Sequence, residues 1–419
     1  MKEIQSSLPS GMTAGKRRSL TLLGLLCFGL ADVRDGIGPF LGVYLQGQGW
    51  SPDLIGYAMT ISGLAAMLCM PFMGGLADKS THKRGLLALA VFVIVAACGI
   101  VFAWTSAPVV WTSKFLQGAL SALIAPTLSA LTLGMVGQHN YPVQLGRNQA
   151  WNHFGNGTTA VLGGTIGYFY GIIGVFYVLA FMGMLSLCCL GGIRPAHIDH
   201  DVARGLKGES CEQGTSPASL KLLFTDRALL AIALVVAFFH FGNAAMLPLL
   251  GQSAVARFGV NPAAYTAATV VIAQATMLVM ALFGAWLAQR KGYGILFCIA
   301  LVVLPIRGLV AGFYHSEWSV VPVQILDGIS NGLLGVATPG IVARLLRGSG
   351  HINLGLGVVL TLQEIGASCS TAYGGLVAHH LGYSAAFLAL AAAPCVSLAI
   401  FLVAKFRSQK FSGAISSIE

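Results

Sequence analysis

Twelve long apolar stretches, separated by short polar connections, fill this chain from about Ser19 to Lys405. A run of about 20 apolar residues is what a helix needs to cross the ~30 Å hydrocarbon core of a bilayer. The pattern predicts spans at about 19–46, 54–76, 85–104, 109–136, 148–170 and 174–193. After a polar stretch it predicts six more, at about 228–251, 264–289, 294–313, 320–346, 354–378 and 384–405. The first is too long for a cleavable signal, holds charges in its middle and lacks a small-residue cleavage site before the next span. The fold class expected is an all-α membrane protein of twelve helices.

Composition supports this. Hydrophobic residues make up 56% of the chain and charged ones 9%, with a mean hydropathy of +0.78. A soluble chain of this length carries far more charge on its surface. The net charge of +10 would suggest an acidic partner in a soluble protein, but its placement says otherwise. Lys2, Lys16, Arg17, Arg18, Lys79, Lys83, Arg84, Arg147, Arg194, Arg204, Lys207, Lys221, Arg227, Arg290, Lys291, Arg344, Arg347, Lys405, Arg407 and Lys410 fall on one side of the predicted spans. Arg257 stands out on the other. The positive-inside bias puts both termini and the central loop in the cytoplasm, and removes a nucleic-acid reading. Nine cysteines, without a CxxC, read as small buried residues of the spans, with Cys211 outside them.

The one extended hydrophilic interruption, 194–227, is rich in Gly, Ser, Asp and Glu and reads as a linker. It divides the chain into a tail (1–18), a six-helix half (19–193), the linker, a second six-helix half (228–405) and a second tail (406–419). The halves resemble each other. At an offset of 211, Asn152-His153-Phe154-Gly155 lies over Gln363-Glu364-Ile365-Gly366, Gly163-Gly164 over Gly374-Gly375, Gly171 over Gly382 and Phe176 over Phe387. At an offset of 210, Leu116-Gln117-Gly118 lies over Leu326-Asp327-Gly328. Internal repeats with a substrate site at their interface are a signature of secondary transporters.

Two short patterns sharpen this. Between the second and third spans stands Gly74-Gly75-Leu76-Ala77-Asp78-Lys79-Ser80-Thr81-His82-Lys83-Arg84. This resembles the G-x-x-x-D-[RK]-x-G-[RK]-[RK] pattern of the major facilitator superfamily, with Thr81 for the second Gly and His82 for the first late basic residue. In the fourth span, Lys114-Phe115-Leu116-Gln117-Gly118 resembles that family's R-x-x-Q-G, with Lys for Arg and so without the guanidinium fork. The alternative for Lys114 is a snorkelling side chain near a helix end. A third pattern, the G-P-x-x-G-G of drug antiporters, fails, because Thr159 to Gly164 keeps the glycines and lacks the proline. The resemblance implies two pseudo-symmetric six-helix bundles that rock about a central site. It also implies gating roles for Gly74, Asp78, Lys79, Lys83, Arg84, Lys114 and Gly118.

Ionisable groups inside spans are functional suspects because they are costly there. Asp32 and Asp35 share a helix face beside Arg34, and Gly36, Gly38 and Pro39 follow at once, so a kink or unwinding is expected next to the charges. Either the group carries a proton or it holds the bundle together. Arg307 and Asp327 fall at similar depth in the ninth and tenth spans and are expected to pair, for structure or for proton coupling as in the family's sugar permeases. Glu364, beside Gln363, has His153, beside Asn152, as its repeat mate. A carboxylate facing an imidazole across a pseudo-twofold axis suits a substrate or proton site.

The proton-coupling candidates are therefore Asp32, Asp35, Asp327 and Glu364. Candidate substrate contacts are Arg34, Trp151, Asn152, His153, Asn156, His240, Arg307, Gln363, Glu364 and Tyr373. His240 with His379-His380 raises a metal-transport reading that no soft-ligand cluster supports. No nucleotide-binding or hydrolase motif is present. The expectation is a monomeric, cofactor-free transporter of a bacterial inner membrane that uses the proton gradient to move a small polar or zwitterionic solute. Alternatives are a proton-driven exporter, a metal-ion transporter and a non-transporting receptor on the same scaffold.

Overall fold

The computed structural model describes residues 14–199, 202, 226–346 and 352–416. Thirteen α-helices run through them: α1 Ala14–Asp35, α2 Pro39–Gly47, α3 Pro52–Lys79, α4 Lys83–Ala103, α5 Ala107–Tyr170, α6 Ile173–Gly192, α7 Arg227–Asn243, α8 Met246–Phe258, α9 Pro262–Lys291, α10 Tyr293–Phe313, α11 Val320–Leu345, α12 Ile352–Arg407 and α13 Gln409–Ile415. There is no strand among the described residues. The first span is α1 and α2 in tandem, and the seventh is α7 and α8. Two long helices each carry two spans and turn at a glycine, α5 at Gly137 (φ 73) and α12 at Gly382 (φ 84). Gly171, the repeat mate of Gly382, turns the fifth span into the sixth at φ 77. Both need the left-handed backbone that glycine alone adopts freely.

By length and hydropathy, nine helical segments of the described residues are fit to cross a membrane. The segment Gly355–Arg407 carries the eleventh and twelfth spans together. The first and fifth spans fall outside that criterion because they hold the polar groups, Asp32, Arg34 and Asp35 in one and Asn148, Asn152, His153 and Asn156 in the other. The most polar spans are the ones the site is built on.

Two cores form, one per half. Leu23, Leu45, Ile55, Ile94 and Leu179 lie in the first, and Ile232, Phe239, Phe297, Leu333 and Phe387 in the second. In a bilayer such packing works through close fit and small residues rather than through escape from water. Small residues accordingly mark where the halves meet. Gly56 and Gly63 of the second span press on Thr371 and Ser368 of the eleventh, and Gly375 on the Pro52 carbonyl. Thr60 Oγ1 lies 2.8 Å from both the Ser368 carbonyl and the Thr371 hydroxyl. Gly164 and Gly167 of the fifth span press on Ala267 and Ala263 of the eighth. Gln46 of α2 donates to the Gln252 carbonyl of α8 at 3.0 Å and to the Tyr383 hydroxyl at 3.1 Å. All these contacts lie toward the end opposite the termini, so the halves are sealed at that end.

The expected burial of the cysteines needs correction. Cys27, Cys98 and Cys189 are buried, whereas Cys188, Cys369 and Cys395 are exposed and Cys69 and Cys298 half-buried. A thiol on the outward face of a membrane helix meets lipid at little cost, so apolar surroundings do not require an interior position. Cys211 lies outside the described residues.

Candidate functional site

The first span breaks because of Pro39. Its ring has no N–H and excludes a helical carbonyl at Asp35, four residues earlier. Gly36 and Gly38 take φ +62 and +48 to make the turn, and the Asp35 carbonyl accepts from the Gly38 amide at 3.0 Å. A Cβ on Gly36 would lie 2.7 Å from Gln117 Nε2, so the Gln117 side chain closes directly over the break. Gln117 Oε1 accepts from Lys114 Nζ at 2.5 Å. Lys114 is 7% exposed and has Asp35 as an electrostatic partner. That overturns the snorkelling alternative, because the ammonium group is turned inward onto the broken helix. Asp32, one turn earlier, has Asp35 and the Thr159 hydroxyl as polar neighbours. Gly118 packs on the Ser62 backbone of the second span, next to this cluster.

The seventh span repeats the device. Pro248 stands four residues after Ala244, where α7 ends and α8 has yet to begin. The freed Ala245 amide donates to Ser370 Oγ of the eleventh span at 3.0 Å. Asn243, at the last turn of α7, accepts from Arg307 Nη1. Arg307 Nη1 is 2.9 Å from Asp327 Oδ1, which also accepts from Asn331 Nδ2 at 2.8 Å. The predicted Arg307–Asp327 pair therefore forms. Arg307 is 0% exposed, enclosed in this state within its own half. Arg307 Nε and Nη2 and both amide atoms of Gln324 are buried without partners.

Glu364 joins the halves electrically. It is exposed, and its charged neighbours are Arg34 and Asp35 of the first span. Arg34 and Asp35 are themselves exposed, and the three open onto the space between the halves. Helical spacing explains the position of Glu364. Eleven residues separate it from Gly375, about three turns, so it shares the face that carries Ser368, Thr371 and Gly375 against the second span. Its repeat mate His153 stands eleven residues before Gly164, on the fifth-span face that meets the eighth, and is also exposed. Each of the two polar mates sits below one of the two seams that seal the far end.

The other candidates take separate places. Asn156 Nδ2 is 3.5 Å from Asn152 Oδ1, and Gln363 is half-buried next to Glu364. Trp151 lies edge-on to Phe28 at 6.4 Å and occupies the space a Gly24 side chain would need. Tyr373 lies tilted against Phe241, with ring centroids 5.4 Å apart. His240 Nδ1 lies 3.0 Å from the Val236 carbonyl of its own helix. In the loop between spans two and three, Lys83 is buried and donates to the Ala77 carbonyl at the end of α3, at 2.5 Å. Arg84 donates to the Ile193 carbonyl at the end of the sixth span. Gly74 has open space around it, and the side chains of Asp78 and Lys79 lie outside the described residues. Sequence reasoning missed the break in the seventh span, for which Pro248 was the available signal, and it missed Asn243, Asn331 and Ser370.

Two helical bundles with broken first helices, sealed at one end around a charged space, define a secondary-transporter scaffold. The chain belongs to the Major Facilitator Superfamily, whose family model matches residues 20–310. It is a transporter-family protein and not an enzyme. An uncharacterised MFS-type transporter of Mycobacterium tuberculosis (strain H37Rv) is 35% identical over 383 residues, covering 91% of this chain and 92% of the relative. The multidrug resistance protein MdtG of Salmonella newport is 28% identical over 195 residues, 43% of this chain and 45% of that protein. Among solved structures, the nucleoside transporter NupG aligns with a TM-score of 0.74 at 14% identity, over 95% of this chain and 100% of that one. A bacterial homologue of the lysosomal transporter Spinster aligns at 0.75 and 12% identity, over 98% and 100%. At these identities the structural likeness concerns the fold.

Proposed function

We propose that this protein is a proton-coupled secondary transporter that moves a small polar or zwitterionic organic solute across the cytoplasmic membrane, with both termini inside. The observation that carries the reading is the cluster of Asp35, Lys114, Arg34 and Glu364 at the break in the first span, directly beneath the seal. Two exposed carboxylates and one exposed guanidinium from opposite halves share one space there. When the seal opens, the halves part and these groups change partners. A carboxylate that loses its cation takes up a proton more readily, and one that regains it releases the proton. Asp35, with Lys114 as an electrostatic partner in this state, is the group best placed to alternate in that way.

The solute takes the remaining contacts. Arg34 offers a planar fork for a carboxylate or another anionic oxygen, and Glu364 accepts from an ammonium or hydroxyl group. Asn152, Asn156, His153 and Gln363 supply neutral polar contacts. The site's formal charges, with Arg34, Lys114 and Arg307 against Asp32, Asp35, Asp327 and Glu364, stay near balance, as suits a solute of low net charge. The energy source is the proton gradient, and no cofactor is required.

The reverse direction of flux is a second reading, favoured by the partial likeness to a multidrug resistance protein. The same carboxylates would then exchange a proton for an outgoing solute. Charge-neutral substitutions test the shared core of both readings. Asp35→Asn should abolish gradient-driven flux while leaving solute exchange across equilibrated membranes. If Asp32→Asn, Asp35→Asn, Asp327→Asn and Glu364→Gln all leave gradient-driven flux intact, proton coupling through these groups is wrong.

A further inference from the structure

Among the described residues, the seal at the far end contains a carboxylate–imidazole contact between the halves. Asp53, in the first turn of α3, places Oδ1 3.3 Å from Nδ1 of His379, near the end of the eleventh span. Asp53 belongs to the first half and His379 to the second. Asp53 Oδ1 is buried, and no hydrogen bond to it is aligned. The Ser51 hydroxyl and the Leu54 amide serve the same carboxyl from its own half, and the His379 imidazole is its partner from the other half. The surrounding contacts across the seam are neutral: Thr60 with Ser368 and Thr371, and Gln46 with Tyr383 and the Gln252 carbonyl.

From this geometry we infer that the Asp53–His379 contact is an acid-strengthened latch that favours closure of the far end as the medium there becomes more acidic. The inference rests on the alternating-access reading but not on which residue couples the proton or which solute moves. Histidine is the side chain that commonly gains charge between neutral and mildly acidic pH. The sign follows. As pH falls the imidazole charges, the contact becomes an ion pair and the closed seam is favoured. As pH rises the charge and the added stability are lost together. The titratable and charged groups around His379 do not supply a competing latch. His380 stacks edge-on at 4.8 Å on the same helix, and Asp53 is the carboxylate facing from the second span. Arg257 and His315 both meet at Ser384, beyond the turn at Gly382 and within the second half.

With the medium at the far end acidic, the latch would bias the empty carrier toward the state open to the termini. A half-exposed pair of this type shifts a population by a factor and not completely, and about two- to fivefold is the range expected. The test uses the full-length chain in lipid nanodiscs, with native cysteines replaced and spin labels on Ser106→Cys and Glu317→Cys, one at the far end of each half. The distance distribution is followed from pH 8 to pH 5.5 without solute. The expected result is a two- to fivefold gain in the short-distance population on acidification, lost in both His379→Gln and Asp53→Asn and kept in His380→Gln. His379→Arg, charged throughout, should hold the short population high at every pH, which guards against a variant that merely misfolds. A flat response in the parent, or one that survives both His379→Gln and Asp53→Asn, overturns the latch. Because no transport is measured, either outcome leaves the proton-coupling assay to stand or fall by itself.

Discussion

The Arg307 guanidinium, wholly enclosed, stands 2.9 Å from the Asp327 carboxylate and shares it with Asn331. Removing one partner of a buried ion pair leaves the other charge uncompensated, at a cost of about 3–5 kcal/mol, whereas replacing both by apolar groups of similar volume is often neutral. Asp327→Asn is therefore expected to lower the unfolding temperature of the purified protein markedly, and Arg307→Met with Asp327→Leu to lower it far less. Thermal unfolding followed by tryptophan fluorescence in detergent checks the order of the two.

The seam between spans two and eleven has no room for side chains at its glycines. A Cβ on Gly63 meets the Ser368 hydroxymethyl group, while one on Gly56 meets the Thr371 backbone carbonyl. A side chain can retreat and a backbone cannot. Gly63→Ala should impede closure of the far end and be rescued by Ser368→Gly. Gly56→Ala should impede it without rescue by any substitution at Thr371. Distance distributions between far-end spin labels distinguish the two, and transport is expected to fall about tenfold or more in the unrescued variants.

At the break in span one, Lys114 donates to Gln117, which covers Gly36, and has Asp35 as an electrostatic partner. Lys114→Met should uncouple the carrier, leaving solute exchange but losing accumulation against a gradient. Lys114→Arg keeps the charge in a larger planar group and should retain partial coupling. Initial-rate uptake with and without an imposed pH gradient separates the two.

At the termini-bearing end, the Asp226 carboxylate caps α7 through the Ala228 and Leu229 amides and meets Lys410 at 2.5 Å. Burial works to raise its pKa, but the hydrogen bond from Lys410 and those from the two amides outweigh burial and hold the carboxyl below the usual range. A depressed carboxyl contributes stability that is present above its unfolded pKa and lost as pH falls through the folded value. Acidification to below about pH 4 should therefore loosen α13, whose Phe411 packs on Phe401. Asp226→Ala should do the same at neutral pH, at about 1 kcal/mol for the lost cap. Hydrogen exchange of the amides of 409–415 reports both.

Much of this architecture was legible in the sequence, for identifiable reasons. Span boundaries follow from hydropathy, and the break at Gly36–Gly38 from glycines next to a proline. Gly171 and Gly382 stood out as repeat mates, though not as turns, and the Arg307–Asp327 pair followed from matched depth. The break at Ala244 was harder to see because Ala244 and Ala245 are good helix formers, and the cause, Pro248, lies a turn downstream. Lys114 was ambiguous because a lysine near a helix end can turn either way, and only the packing of Gln117 over Gly36 turns it inward. The meeting of Arg34 with Glu364 joins residues 330 positions apart in sequence, and it depends on how far the two halves have closed.

The central claim is that solute movement is tied to proton movement through the charges beneath the seal. The most direct measurement is made on liposomes containing the purified protein and an internal pH dye, challenged with pooled sugars, amino acids, organic acids, nucleosides and cationic drugs. The account predicts a solute-dependent pH change, lost in Asp35→Asn, whose sign separates import from export. Flux of labelled solute with no pH change, in the same vesicles, would contradict it and assign the intramembrane carboxylates to structure or to another ion.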